Sequence, residues 1–186
     1  MNYFSNSAKI IKSLEKQHRE IEKITSFIKK RLKKRNKILI AGNGGSSADA
    51  QHFAGELICT YKSKNRSSYP AISLMDNTSA LSAWGNDFDF AGYIERQLSA
   101  IADNNDILFL LSTSGGNLKK KQSINLIKAA NYAKKNKITV ISLIGANGGE
   151  LEKLSDMYIK IDSNKTSHIQ EAHIAIIHYI CEALEY

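Results

Sequence analysis

Cysteine and proline are nearly missing from this chain of 186 residues: Cys59 and Cys181 are its only cysteines and Pro70 its only proline. Two cysteines suggest no disulfide framework. One proline leaves no proline-rich linker, and no internal repeat or low-complexity stretch interrupts the sequence. No apolar run approaches the roughly 20 residues needed to span a bilayer, so no membrane partner is expected. The opening residues, Met1-Asn-Tyr-Phe-Ser-Asn, carry no basic region followed by an apolar one, so no secretory signal is read there. Leucine, isoleucine, valine and phenylalanine are plentiful, which argues against disorder. The length suits one domain, 1–186, with a sizeable core, and a cytoplasmic location is expected.

The net charge of +8 invites a nucleic-acid reading, but its distribution does not. Much of the excess lies in Lys29-Lys-Arg-Leu-Lys-Lys-Arg-Asn-Lys37 and Lys119-Lys-Lys121, near expected helix ends, where lysine offsets the helix dipole. No basic motif interleaved with aromatics of the RNA-binding kinds is present. A solvated face, with some steering of anionic ligands, accounts for the charge.

Residues Ser7 to Lys34 read as one long helix. Leu14, His18, Ile21, Thr25, Ile28 and Leu32 alternate spacings of four and three, and Ile10, Ile11 and Ile24 widen the stripe. The stripe suits packing on the domain's own sheet or in a subunit interface. Beyond it, short apolar runs at Ile38–Ala41, Ala71–Leu74, Ile107–Leu111, Ile138–Ile144 and Met157–Ile161 read as strands. Helical segments near Ser47–Tyr61, Ser79–Trp84, Gly92–Ala102, Leu118–Asn136, Gly149–Ser155 and Ser167–Glu185 alternate with them. Apolar strands separated by helices predict a parallel sheet covered on both faces. The expected architecture is a three-layer, doubly wound α/β domain with a five-stranded parallel sheet, its ligands at the carboxyl ends of the strands.

The most informative stretch is Ala41-Gly-Asn-Gly-Gly-Ser-Ser-Ala-Asp-Ala-Gln-His-Phe-Ala-Gly-Glu-Leu57. A strand, a glycine-rich turn and a helix N-terminus make an anion site, because glycine permits close backbone approach and the first helical N–H groups point outward. His52 and Glu56 then share a helix face one turn apart. They suit an exposed polar pair as well as chemistry. A second loop, Ser112-Thr-Ser-Gly-Gly-Asn117, follows the third strand; it reads as a phosphate loop or as a capped turn. Two such loops open on one sheet edge. On the last helix, Gln170, Glu171, His173 and His178 lie among Ile169, Ile174, Ile176 and Ile177. That helix is mostly buried and its polar groups need partners, either as satisfied core residues or in a nitrogen- and oxygen-ligated zinc site.

Gly42–Glu56, Gly85-Asn-Asp-Phe88, Ser112-Thr-Ser-Gly115 and Ile169-Gln-Glu-Ala-His-Ile-Ala-Ile-Ile-His178 resemble the phosphoheptose isomerases of the sugar isomerase (SIS) superfamily. The similarity is collinear over nearly the whole chain. It implies a flavodoxin-like SIS fold, a homotetramer with one zinc ion per subunit, and conversion of D-sedoheptulose 7-phosphate to D-glycero-D-manno-heptose 7-phosphate for bacterial surface polysaccharide. It also implies zinc ligands at His52, Glu56, Gln170 and His178. Substrate contacts would fall at Asn43, Gly44, Gly45, Glu56, Asn86, Asp87, Ser112, Thr113, Ser114, Asn117 and Gln170, and proton transfer at Glu56 and His178. The chain departs from the family pattern at Thr60, Gly116, Asn117 and Ser167. Gln170 and His178 stand eight residues apart, about 12 Å along a helix. One ion reaches both only from a stretched Gln170 side chain or across subunits. The competing reading is a non-catalytic SIS module that binds a sugar phosphate or a partner protein as a regulator; such a module needs neither the base nor the metal ligands that this chain carries.

Overall fold

The computed structural model describes residues 2–186. Five strands form one parallel sheet: β1 (Ile38–Gly42), β2 (Ala71–Ser73), β3 (Ile107–Ser112), β4 (Thr139–Gly145) and β5 (Met157–Ile161). Their order is β2-β1-β3-β4-β5, with Ile38 of β1 in register with Ala71 on one side and Ile107 on the other. Strand order reverses between β1 and β3. At such a switch point the following loops diverge to opposite faces and leave a crevice at the carboxyl ends of the strands.

Alternation within the strands feeds two cores. Ile38, Ile40, Ile107, Phe109, Leu111, Ile141, Leu143, Ile159 and Ile161 face one way. They meet α2 (His18–Lys33), α3 (Gly45–Ile58) and α8 (Thr166–Leu184). Leu39, Ala41, Leu108, Leu110, Val140 and Ile144 face the other, toward α4 (Thr78–Asp87), α5 (Tyr93–Ile101), α6 (Ile124–Lys135) and α7 (Gly149–Leu154). Both faces are covered, so the strands read as continuous apolar runs.

The N-terminal helix is interrupted. α1 spans Tyr3–Ser13, a 3-10 turn occupies Leu14–Gln17, and α2 follows. Neither glycine nor proline marks this break, so the heptad-like spacing alone predicts a continuous helix. The break coincides with a tertiary bond: Gln17 Nε2 donates to the carbonyl of Lys160 on β5 at 2.9 Å. The two halves behave differently. In α2, Ile21, Ile24, Thr25, Ile28 and Leu32 are buried, whereas α1 buries no residue and leaves Phe4 76% exposed.

The sixth helix also starts later than its composition suggests, at Ile124 rather than Leu118. Backbone bonds in both directions between Asn117 and Gln122, 3.0 and 2.9 Å, and a bond from the Lys120 N–H to Asn117 Oδ1 at 2.9 Å, close residues 117–122 into a turn. Lys121 and Ser123 adopt left-handed φ angles of 52°, which end that turn and admit the helix only afterwards.

Candidate active site

The crevice at the switch point is built by the loops after β1 and β3. In the first, Gly44 takes φ +57° and hands over to α3, whose positive end faces the crevice, with the Ser46 and Ser47 N–H groups donating to the Asn43 and Gly44 carbonyls at 3.1 and 3.0 Å. In the second, Ser112 Oγ accepts from the Gly115 N–H at 3.1 Å and Ser114 Oγ from the Gly116 N–H at 3.2 Å. Gly115 sits at φ +67°, and a Cβ there would collide with the backbone carbonyl of Gly148. The Gly115 carbonyl also accepts from the Leu151 N–H at 2.8 Å, so the loops after β3 and β4 interlock. Only glycine fits both demands at this position.

The loop after β1 is tied across the switch point to the first turn of α6 by a reciprocal amide pair. Asn43 Nδ2 donates to Asn125 Oδ1 at 3.0 Å, and Asn125 Nδ2 donates to Asn43 Oδ1 at 2.8 Å. Asn125 is 2% exposed, so this pair fixes the crevice width with little solvent competition. Ser123 adds a fourth hydroxyl to those of Ser112, Thr113 and Ser114, 3.5 Å from Ser114 Oγ. Asn125 and Ser123 lie outside the loop motif itself. Their only local signal is two polar residues at the start of a helix.

On α3, His52 Nε2 and Glu56 Oε1 are 3.1 Å apart. The His178 ring of α8 stands beside His52, with centroids 5.2 Å apart, and Tyr61 stacks on it with centroids 5.8 Å apart and 27° between planes. The structure therefore brings His52, Glu56 and His178 together. Gln170 lies elsewhere: α3 and α8 run side by side, and its amide packs against Gly45, where a Cβ would approach Nε2 to 2.5 Å. The eight-residue separation from His178 persists, with Gln170 at the phosphate loop and His178 at the His52 end. Among the described residues no three His, Cys, Asp or Glu side chains close on a single metal position. The donor chemistry of His52, Glu56 and His178, two imidazoles and a carboxylate, nonetheless suits zinc.

Asn86 and Asp87 sit exposed at the end of α4, where Asn86 Nδ2 donates to Asp87 Oδ1 at 2.8 Å. Among the described residues no hydrogen bond joins them to either loop. Asn117 is turned away from capping α6, its amide oxygen taken by Lys120. Thr113 remains on the loop between the two bonded serines. Asp49, one turn before His52, has an Oδ2 that is buried without a partner among the described residues. Burial pushes its carboxyl up, against a smaller opposing pull from His52. A patterned reading of His52 and Glu56 does not reveal Asp49, because a single aspartate near the start of a helix is an ordinary helix feature.

Comparisons agree with this geometry. A family model described as SIS domain matches residues 2–145. Phosphoheptose isomerase 1 of Campylobacter jejuni is 42% identical over 95% of this chain and 91% of its own length. Phosphoheptose isomerase of Aliarcobacter butzleri is 39% identical over 98% and 93%. The solved phosphoheptose isomerase of Neisseria gonorrhoeae superposes with a TM-score of 0.88 at 33% identity, covering 98% of this chain and 95% of that one. Fold, motifs and relatives converge: the chain belongs to the phosphoheptose isomerase family of SIS-domain proteins.

Proposed function

We propose that the protein is an aldose–ketose isomerase that converts D-sedoheptulose 7-phosphate to D-glycero-D-manno-heptose 7-phosphate. The observation that carries the reading is the placement of His52, Glu56 and His178 on α3 and α8 beside two anion-binding loops. The relatives named phosphoheptose isomerase support the substrate class. On this reading the sugar phosphate is held at the switch point by the loop of Asn43, Gly44 and Gly45 at the positive end of α3 and by the hydroxyls of Ser112, Thr113 and Ser114. Asn86, Asp87, Asn117 and Gln170 contribute to the sugar. The product supplies heptose for bacterial surface polysaccharide, in the cytoplasm. No described helix is long and apolar enough to cross a membrane.

Isomerisation requires removal of a proton from C1 of the ketose, transfer of the hydroxyl proton from O1 to O2 by way of the enediol, and delivery of a proton to C2. Glu56 takes the first proton and His178 delivers the second, while His52 holds the Glu56 carboxylate in orientation through the 3.1 Å contact. His52, Glu56, Gln170 and His178 would hold zinc, which when bound supplies positive charge opposite the developing oxyanion. Gln170 beside Gly45 and His178 beside His52 favour a ligand set completed by a neighbouring copy in a homotetramer. The regulator alternative is disfavoured because a binding module has no use for this proton-transfer pair.

The decisive experiment is turnover with sedoheptulose 7-phosphate. Glu56→Gln and His178→Gln should each lose roughly 10²–10⁴-fold in kcat while remaining folded. Full turnover in both variants, or tight binding of the substrate without turnover by the parent, would end the assignment.

A further inference from the structure

Between α3 and β2 the chain runs through residues 59–70 without regular structure, yet this stretch carries Tyr61, the ring stacked on His178. An irregular loop of this length orders a side chain only if something pins its backbone. Here the pin is Glu185, at the far end of α8. One oxygen of its carboxylate accepts from the Tyr61 N–H at 3.1 Å, both accept from Lys62 at 3.0 Å, and the other accepts from Ser63 at 2.9 Å. Arg66 Nε stands 3.5 Å from the same carboxylate, and the two side chains are only 7% and 4% exposed.

The location of this carboxylate is itself informative. A negative charge at a helix C-terminus opposes the dipole, and burial adds a desolvation cost. Burial alone would raise the Glu185 carboxyl, but the N–H groups of Lys62, Ser63 and Tyr61 together with Arg66 hold it below its usual value. The compensation is therefore complete, and its result is a fixed loop.

Arg66 extends the clamp to α3. Its Nη2 donates to the carbonyl of Glu56 at 2.8 Å and Nη1 to that of Leu57 at 3.1 Å. These are end carbonyls of α3 that no capping glycine satisfies. Its guanidinium also lies over the Tyr69 ring, 4.7 Å from the centroid. The Tyr69 hydroxyl in turn donates to the Leu184 carbonyl at 3.0 Å. One buried ion pair thus ties the backbone of Glu56, the loop of Tyr61 and the end of the helix that bears His178.

We propose that Glu185 and Arg66 are positioning residues, which act by holding Tyr61 against His178 and fixing the α3 turn of Glu56. This rests on the assignment of Glu56 and His178 as the proton-transfer pair. Stacked on the imidazole, Tyr61 limits its rotation. Releasing it should impair the proton-transfer step rather than substrate binding.

The test is a kinetic double-mutant cycle on the metal-replete full-length enzyme. Tyr61→Ala and Glu185→Ala should each lower kcat roughly 10–100-fold, the scale of a misplaced catalytic group, with KM within about threefold of the parent. The double variant should be no slower than the worse single, because both changes remove one interaction. Tyr61→Phe, which keeps the ring, should recover most of the kcat lost in Tyr61→Ala. Glu182→Gln, which breaks only the exposed pair with Lys62, should match the parent. Losses that multiply in the double variant, or a Tyr61→Ala enzyme with parental kcat, overturn the proposal. If Glu185→Ala does not fold, the same cycle is run with Glu185→Gln, which keeps the side-chain shape. Parental turnover in Glu56→Gln and His178→Gln would bring down the function itself. Lost turnover in those two beside an unaffected Tyr61→Ala would bring down only the clamp.

Discussion

At the scale of single residues, the polar groups that matter are those the interior leaves without alternatives. His173 on α8 is fully buried and neither ring nitrogen has a partner among the described residues. Burial lowers its pKa to about 3 from the usual 6.5. Above pH 6.5 both folded and unfolded chains carry it neutral, and its ionisation has no effect on stability. Below pH 6.5 the unfolded chain takes up a proton that the folded chain refuses. Stability then falls by about 1.4 kcal/mol per pH unit until the pH nears the folded value of about 3. His173→Leu should remove that slope between pH 6.5 and 5, and leave stability at pH 7 equal or higher, since two unpaired nitrogens disappear. Urea midpoints of parent and variant at pH 7 and pH 5 read this directly; an unchanged difference between the two pH values would rule His173 out. Cys181 is the thiol counterpart, pushed up to about 12 by burial and then by the charge of Glu56. It should resist thiol reagents in the native protein and react only after denaturation.

At the scale of elements, the strands and their carboxyl-end loops are legible in the sequence because each is a local pattern. The short stretch Met157–Ile161, apolar but for Lys160, is β5, and a glycine-rich turn after Ile40 leads into α3. The pair His52 and Glu56 is likewise one helical turn. What escapes sequence reading is held by partners remote along the chain. The break at Leu14–Gln17 accompanies a bond to β5, the Asn43–Asn125 pair spans 82 residues, and the Glu185 contacts span more than 120. No periodicity encodes such contacts. The delayed start of α6 shows the same limit, since its composition is helical but its turn is closed by Asn117 and Gln122. The interlock of the loops after β3 and β4 supplies a prediction at this scale. Gly115→Ala adds left-handed strain of about 1–3 kcal/mol, and its collision with Gly148 outweighs that strain because backbone cannot move aside cheaply. The Ser112–Ser114 donors should then lose their register, with a lower melting temperature and a raised KM for sugar phosphate. A variant with parental stability and KM would show that the loops accommodate separation.

At the scale of the whole molecule, the question is why α1 exists in the form it does. α2 spends its apolar stripe on the chain's own core. α1 is held on α8 chiefly by polar contacts, the Tyr3 hydroxyl and Ser7 both donating to Glu171. Its outward face keeps Phe4 76% and Ile11 40% exposed, seven residues apart and thus on one stripe. Such a stripe fits a second copy better than water, and the separation of Gln170 from His178 gives assembly a chemical consequence. The purified protein should be a tetramer with about one zinc per chain, the four-donor set being suited to that ion. Chelation should abolish turnover while the far-ultraviolet circular dichroism stays native, because the two cores of the sheet contain none of His52, Glu56, Gln170 and His178. His52→Ala should reproduce the chelated state. Phe4→Glu places a charge on the α1 stripe, far in sequence from every site residue, and should shift the sedimentation profile toward smaller species. Turnover should fall in parallel with the lost tetramer and return at high protein concentration. A Phe4→Glu monomer with full activity would sever site from assembly, and undiminished turnover at near-zero metal content would remove zinc from the mechanism.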